Sequence, residues 1–405
     1  MPWRETCPME QRSEFLCEAV MKTTTFTALC RLYGITRETG YKWLRRWKTE
    51  HSIEEKSRRP KSHPATTPPQ VVQRILSQRR QFPLWGPIPL RKRLQTLWPE
   101  VDWPAASTIG DILKRHGLVK QRRKRPRVAP RTRPFSKCRE ANDVWCVDFK
   151  GHFKLGDGTT CYPLTVMDAA SRYLLACVAF HQPTLANVRA VFAELFMKYG
   201  LPIALRSDNG EPFASTSAAA GLTQLSAWWA RLGIVLERID PGKPQQNGRH
   251  ERMHRTLKEA ACTPPKHSIG RQQRAFDKFK SEYNDVRPHQ ALDLKTPAQL
   301  YKPSLRRYVE TLPELEYAMA EVHRVRSDGT IAFRKRRQFV STSLIGELVG
   351  LYTLDERYVE VQYANLVLGL IDTRNNNANP RYGLVRRRPE HGNRRPSKVS
   401  AMYPV

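Results

Sequence analysis

The chain has 405 residues, a formal net charge of +31 and a pI near 10.2, and Lys and Arg recur from end to end. That length suits about two to four folded units, and charge of that size points to a polyanionic partner, most simply nucleic acid. No apolar run approaches the length of a bilayer span, which leaves membrane binding a poor account of the charge, and no signal peptide opens the chain, so a cytoplasmic, nucleoid-associated protein is expected. Eight cysteines, at 7, 17, 30, 138, 146, 161, 177 and 262, include no C-x-x-C pair, and no histidine pair stands at zinc-finger spacing. Reduced, mostly buried thiols and no structural zinc are expected.

Residues 10–50 read as three short helices. Phe15, Leu16, Ala19 and Val20 give the first an apolar stripe, and Phe26, Leu29, Cys30 and Leu32 do the same for the second. A Gly34-Ile35-Thr36 turn follows, with Thr36 placed to cap a third helix over 37–48. On that helix Tyr41, Leu44 and Trp47 are expected to pack inward, leaving Arg37, Lys42, Arg45 and Arg46 free. This is a helix-turn-helix layout with a basic second helix sized for a major groove; the plainer alternative is a small helical bundle with a basic surface.

A polar linker, 51–67, leads to a second helical unit. Val71, Val72, Ile75 and Leu76 pattern one helix, Ile88, Leu90, Leu94 and Leu97 another, and Ser107 or Thr108 is expected to cap a third, with Ile109, Ile112 and Leu113 buried. The next stretch, QRRKRPRVAPRTRPFSK, is almost free of aliphatic residues and cannot form a core. Arg122, Arg123, Lys124, Arg125, Arg127, Arg131 and Arg133 are expected to track DNA phosphates as an extended arm, a plain solvated linker being the alternative.

From Asn142 the texture changes. Residues 144–149 read as a buried strand with one acid in it, Asp148; 162–167 and 173–180 as two more; 184–199 as a helix; 203–207 as a strand ending at Asp208-Asn209-Gly210; 222–232 as a helix; and 234–239 as a strand. An antiparallel meander followed by alternating helix and strand predicts a mixed α/β sheet. Residues 241–258, PGKPQQNGRHERMHRTLK, begin as a loop and become a helix near Asn247. Glu251, His254, Arg255 and Lys258 fall at i, i+3, i+4 and i+7, so they are expected to share one face, which read alone is an ordinary solvated surface.

An acid inside an apolar strand is costly unless something compensates it, and a metal ion would. Asp208 stands where α/β sheets place ligands, at the carboxyl end of a strand. Three acids from three elements suit Mg²⁺ and phosphoryl transfer.

WCVDFKG around Asp148, RSDNG around Asp208 and QQNGRHERMHRTLK around Glu251 resemble, in order and placement, the three catalytic motifs of integrase-like DDE transposases of bacterial insertion sequences, relatives of retroviral integrases with a ribonuclease H-like core. YNDVRPHQALDLKTPAQLY, residues 283–301, resembles the sequence that closes that core. The resemblance implies that Asp148, Asp208 and Glu251 bind two Mg²⁺ ions, with Mn²⁺ able to substitute, that Asn209 and Asn247 support the acids or position DNA, and that Arg255 and Lys258 contact phosphates. For His254 a packing role stands level with a role in the site. The long step from Asp208 to Glu251 departs from retroviral integrases, and the Ala/Ser-rich residues 214–220 are expected to form a mobile loop over the site. Asp168 is expected to be satisfied locally by Ser171 or Arg172.

Beyond residue 324 five short alternating segments, 330–333, 338–340, 348–353, 358–363 and 366–371, predict a small β-barrel, with Arg334 to Arg337 toward DNA and a basic, disordered tail after it. The expected organisation is multidomain: helix-turn-helix at 1–50, linker 51–67, second helix-turn-helix 68–119, basic arm 120–140, ribonuclease H-like α/β core 141–302, connector 303–323, β-barrel 324–373 and tail 374–405. The expected function is a transposase that binds the terminal inverted repeats of its element as double-stranded DNA, cleaves 3′ ends with Mg²⁺ and joins them to target DNA, working as a homodimer or higher assembly. The alternatives are a non-catalytic DNA-binding regulator and a ribonuclease H-like nuclease without strand transfer.

Overall fold

The computed structural model describes residues 7–55, 66–119, 138–215, 218–240, 244–374 and 384. The basic arm, with Arg122, Arg123, Lys124, Arg125, Arg127, Arg131 and Arg133, and most of the tail lie outside them. The chain divides into two compact units, Met1–Thr67 and Pro68–Val405.

In the first unit three helices, α1 (Pro8–Met21), α2 (Phe26–Leu32) and α3 (Arg37–Glu50), close on Phe15, Leu16, Leu29, Cys30 and Trp43. Thr36 caps α3 by accepting from the Thr39 amide at 3.2 Å. The buried side of α3 differs from the expected one: Gly40 and Trp43 face the core, while Tyr41 is 45% and Trp47 36% exposed. At Gly40 the helices are in tight contact: an added Cβ would stand 2.8 Å from the Cys30 sulfur. That contact sets the rotation of α3 and puts residue 43, one turn on, inside. Tyr41 instead stacks on Phe26, centroids 4.2 Å apart.

The second unit begins with α4 (Pro69–Gln81), α5 (Pro87–Leu97) and α6 (Ala106–Arg115), packed around Ile75, Trp85, Leu90, Leu94, Ile109, Ile112 and Leu113. Helix α6 starts earlier than expected, after Ala105, with no side-chain cap, so neither Ser107 nor Thr108 serves as one.

The central sheet contains β1 (Val144–Phe149), β2 (Phe153–Lys154), β3 (Thr160–Asp168), β4 (Leu174–Phe180), β5 (Ala204–Ser207) and β6 (Val235–Arg238). Strand β3 lies antiparallel to β1, β2 and β4, and β5 and β6 run parallel on the far side of β1. Helices α7 (Leu185–Tyr199) and α8 (Gln224–Arg231) share a core with Trp145, Val147, Val166 and Leu205. Helices α9 (Gly248–Leu257) and α10 (Ile269–Ser281) share another with Cys161, Met167, Leu174 and Cys177. Side chains alternate across a strand, so Asp148 points away from the Trp145 and Val147 side, toward the side covered by α9. A short helix, α11 (Pro297–Leu300), precedes the connector, whose Arg306 donates to the carbonyls of Pro202 and Leu232 at 2.6 and 3.1 Å.

The C-terminal strands do not form the expected single barrel. β7 (Glu321–Arg324), β10 (Leu348–Thr353), β11 (Tyr358–Tyr363) and β12 (Leu366–Asp372) make an open antiparallel sheet in the order β12-β11-β10-β7, and β8 (Thr330–Phe333) and β9 (Arg336–Phe339) form a separate hairpin. Both pack on one core that also takes Leu222, Ala227 and Ala230 from around α8. The residues 214–220 are held at both described ends: Ala214 is 2% exposed, and the Ser215 amide donates to the Gly221 carbonyl at 3.0 Å. Residues 216–217, at the middle of the loop expected over the site, lie outside the described residues.

Candidate active site

Asp148 occupies the carboxyl end of β1, directly across the ladder from Thr165. Its side chain is 25% exposed. Burial first, then the neighbouring charge of Asp208 and a smaller effect of Glu251, push its pKa up to about 7, against the Phe149 amide and Lys150, which pull it down. Asp208 follows β5, the strand beside β1, and the Gly210 amide donates to its Oδ1 at 3.2 Å. Asn209 donates to the Ile239 carbonyl at 2.6 Å and so ties this loop to the end of β6. Glu251 is exposed in the first turn of α9, where the helix end favours a carboxylate.

Helix α9 does not present the single face expected of it. His250, Met253, His254 and Leu257 are buried at i, i+3, i+4 and i+7, whereas Glu251, Arg255 and Lys258 are exposed. His254 thus leaves the cationic face and enters the interior. The reason is a polar partner on the sheet: the Thr165 hydroxyl meets His250 Nε2 at 2.7 Å and His254 Nε2 at 2.6 Å. Burial lowers the pKa of His250 to about 3; burial, then His250 and Lys150, lower that of His254 to about 2. Both imidazoles are therefore neutral, and the 3.7 Å approach of His254 Nδ1 to Asp148 Oδ2 is not an ion pair. Asn247 precedes α9 as expected of a cap residue but makes no cap hydrogen bond, and its buried Oδ1 has no partner.

Among the described residues, the group of metal-ligating side chains with ligand atoms within 4.8 Å of one another is Asp148, His250 and His254. Asp208 and Glu251 act on Asp148 through their charge rather than as members of that group. The donor set fits a divalent cation: a dication beside Asp148 would hold ionised the carboxylate that burial and the neighbouring acids otherwise push toward protonation.

Two integrase core domain models match the chain, over residues 139–244 and 232–297. A helix-turn-helix domain model matches 15–61, and a homeodomain-like domain model 39–113. An uncharacterized 31.7 kDa protein of insertion element IS407 from Burkholderia multivorans is 27% identical over 182 residues, 45% of this chain and 63% of that protein. An uncharacterized 39.2 kDa protein of insertion element IS476 from Xanthomonas euvesicatoria is 27% identical over 184 residues, 45% of this chain and 50% of that protein. Residues 139–297 form an integrase core domain. The same core is similar to part of the Gag-Pol polyprotein of feline leukemia virus, 33% identical over 115 residues, 28% of this chain and 6% of that one. The chain thus spans less than two thirds of the length of these relatives.

In the integrase core, Asp168 accepts from the Asn142 amide at 2.8 Å and from the Ser171 amide and hydroxyl at 2.8 and 2.6 Å, a structural role inside the fold. Ahead of the core, Arg37, Lys42 and Arg45 are exposed on α3. Arg46 is not free: it lies 5.3 Å from the Trp43 ring and 3.6 Å from Glu50. Sequence reading missed Lys150, Thr165 and His250. The signals were present, a cation two positions after the strand acid and a histidine pair spaced by four on one helix, but Thr165 shows itself only through strand register. Among the described residues no helix is long and apolar enough to cross a membrane.

Proposed function

We propose that this chain is a DNA transposase that binds the terminal inverted repeats of its element, hydrolyses the 3′ ends and joins them to target DNA, acting on the bacterial nucleoid. The observation that carries the reading is the raised proton affinity of Asp148, caused by burial beside Asp208 and Glu251, within a segment that matches the integrase core. Three acids from β1, the loop after β5 and α9 then have one purpose, to hold cations where a phosphodiester reacts.

Bound divalent ions, two Mg²⁺ in this reading or Mn²⁺ in their place, supply Lewis acidity for an attacking water or 3′-hydroxyl and for the leaving oxygen. The chain's own groups do the rest. Asp148, Asp208 and Glu251 hold the charge; the Gly210 amide and the Asn209 tie keep the Asp208 loop in place. Arg255 and Lys258, exposed beside Glu251, contact the strand phosphates. Arg37, Lys42 and Arg45 of α3 contact the element end. Two ends must meet, so two or more copies assemble on DNA.

The test is cleavage of the cognate ends by the full chain with Mg²⁺. Nicking at the 3′ ends is expected, and its absence would leave a DNA-binding regulator. Joining of a pre-cut end to a plasmid separates a transposase from a nuclease without strand transfer. Asp148→Asn, Asp208→Asn and Glu251→Gln should each abolish chemistry while retaining end binding, and substantial cleavage by any of them overturns that residue's role.

A further inference from the structure

The Thr165 hydroxyl meets three groups. It donates to the Asp148 carbonyl at 3.1 Å, and it lies 2.7 Å from His250 Nε2 and 2.6 Å from His254 Nε2. A hydroxyl has one proton and two lone pairs, and a carbonyl only accepts. All three contacts are made together only when both imidazoles carry their proton on Nε2 and donate it to Thr165. This hydrogen-bond network assigns both tautomers and leaves Nδ1 of each ring as a bare lone pair.

The two lone pairs have different surroundings. His250 Nδ1 is buried without a hydrogen-bond partner. His254 Nδ1 faces Asp148 Oδ2 at 3.7 Å. An acceptor nitrogen and a carboxylate oxygen at that distance are too far apart for a hydrogen bond. They are closer than the ~4.2 Å that two bonds to one metal ion span, from an imidazole nitrogen and a carboxylate oxygen. A metal-bound histidine ordinarily donates its other N–H to a fixed acceptor, which sets its tautomer and orientation; Thr165 is already that acceptor.

We infer that His254 supplies Nδ1 as a ligand to the cation held by Asp148, with Thr165 and His250 fixing its tautomer. The inference rests on the reading of Asp148 as a metal-holding acid and extends it. A donor set containing an imidazole nitrogen favours a borderline ion such as Zn²⁺ over Mg²⁺ more than an all-oxygen set does, with the harder Mn²⁺ gaining less. This site is therefore more selective for transition ions than three carboxylates alone would be.

The test uses the metal-free full chain loaded with Mn²⁺. Pulsed electron paramagnetic resonance reads directly whether a ¹⁴N nucleus is bound to the ion. Wild type should show that coupling, and Asp148→Asn should lose it. His254→Gln should keep bound Mn²⁺ with oxygen ligands only and, in competition titrations, lose at least about tenfold in Zn²⁺ affinity with a much smaller change for Mg²⁺. Should His254→Gln fail to fold, wild type against Asp148→Asn still decides. Mn²⁺ bound in an Asp148-dependent way without ¹⁴N coupling, or coupling retained in folded His254→Gln, overturns the ligand inference and leaves the catalytic reading standing. Mn²⁺ binding that does not depend on Asp148 overturns both.

Discussion

The Thr165 hydroxyl donates to the Asp148 backbone carbonyl at 3.1 Å across the β1–β3 ladder while both α9 imidazoles converge on the same oxygen. One side chain therefore joins the strand that carries the acid to the helix that covers it. Thr165→Val keeps the shape and removes the acceptor, leaving two buried imidazole N–H groups without partners at about 1–3 kcal/mol each. Urea unfolding should show a loss of about 2–5 kcal/mol for Thr165→Val, with Thr165→Ser much closer to wild type. A Val variant as stable as wild type would mean that the histidines are held by packing alone.

Asp148 should weaken the fold it sits in. Its pKa rises from 3.8 to about 7 on folding. Below the lower value both states are protonated and nothing is lost. Between the two values only the folded state keeps the proton, so stability falls as pH rises through that window, and above about 7 the whole penalty applies. At 1.36 kcal/mol per unit the upper limit is ~4 kcal/mol, reduced by the side chain's partial exposure. Metal-free Asp148→Asn should thus be the more stable protein near pH 8, with the gap closing toward pH 4. Added Mg²⁺ should stabilise wild type and leave the variant unmoved. Denaturant titrations across that pH range check both, and a wild type more stable than the variant at every pH overturns the argument.

What could be read from the sequence divides along physical lines. β1 was legible because VWCVDF is an apolar run interrupted by one acid, and Asp208 because it ends a strand at a Gly turn. Four of the five C-terminal strands stand close to where alternation placed them. Barrel closure was not legible, since it depends on whether the β8–β9 hairpin bonds to the sheet, which no local pattern encodes. β7 was missed because EVHR, with Val322 46% exposed, reads as polar connector. His250 and His254 count as polar in any periodicity, and their burial depends on Thr165, distant in sequence. Trp43 replaced Tyr41 and Trp47 in the core because Gly40, not the aromatic spacing, sets the rotation of α3.

The C-terminal strands should be coupled to the integrase core through Arg231 and Glu347. Their side chains meet at 2.8 Å, 23% and 25% exposed, and Arg231 also donates to the Pro313 carbonyl at 3.2 Å. Partial burial lifts such a pair above a surface contact, to about 1 kcal/mol. A double-mutant cycle of Arg231→Ala and Glu347→Ala should return a coupling of that size. Limited proteolysis should open the C-terminal strands faster in either single variant. Strict additivity would show that the shared apolar core of Leu222, Ala227 and Ala230 does all of the docking.

Gly40→Ala tests the packing that turns α3. In an exposed helix the change would stabilise by about 1 kcal/mol, since Ala is the better helix former. Here the new methyl would stand 2.8 Å from the Cys30 sulfur and 3.0 Å from the ring tips of Phe15 and Phe26. Phe15 and Cys30 are each 2% exposed, so neither can swing away into solvent. Overpacking a filled core costs about 1–3 kcal/mol, which exceeds the propensity gain. Thermal unfolding of the full chain should show the first helical unit melting earlier in Gly40→Ala. Cys30→Ala placed in the same chain should recover part of the loss by removing the nearest atom. If α3 holds the element ends as proposed, end binding should fall at temperatures above that transition and return on cooling. A Gly40→Ala protein more stable than wild type would show that the three helices have room to spare around Gly40, and the inward position of Trp43 would then need another cause.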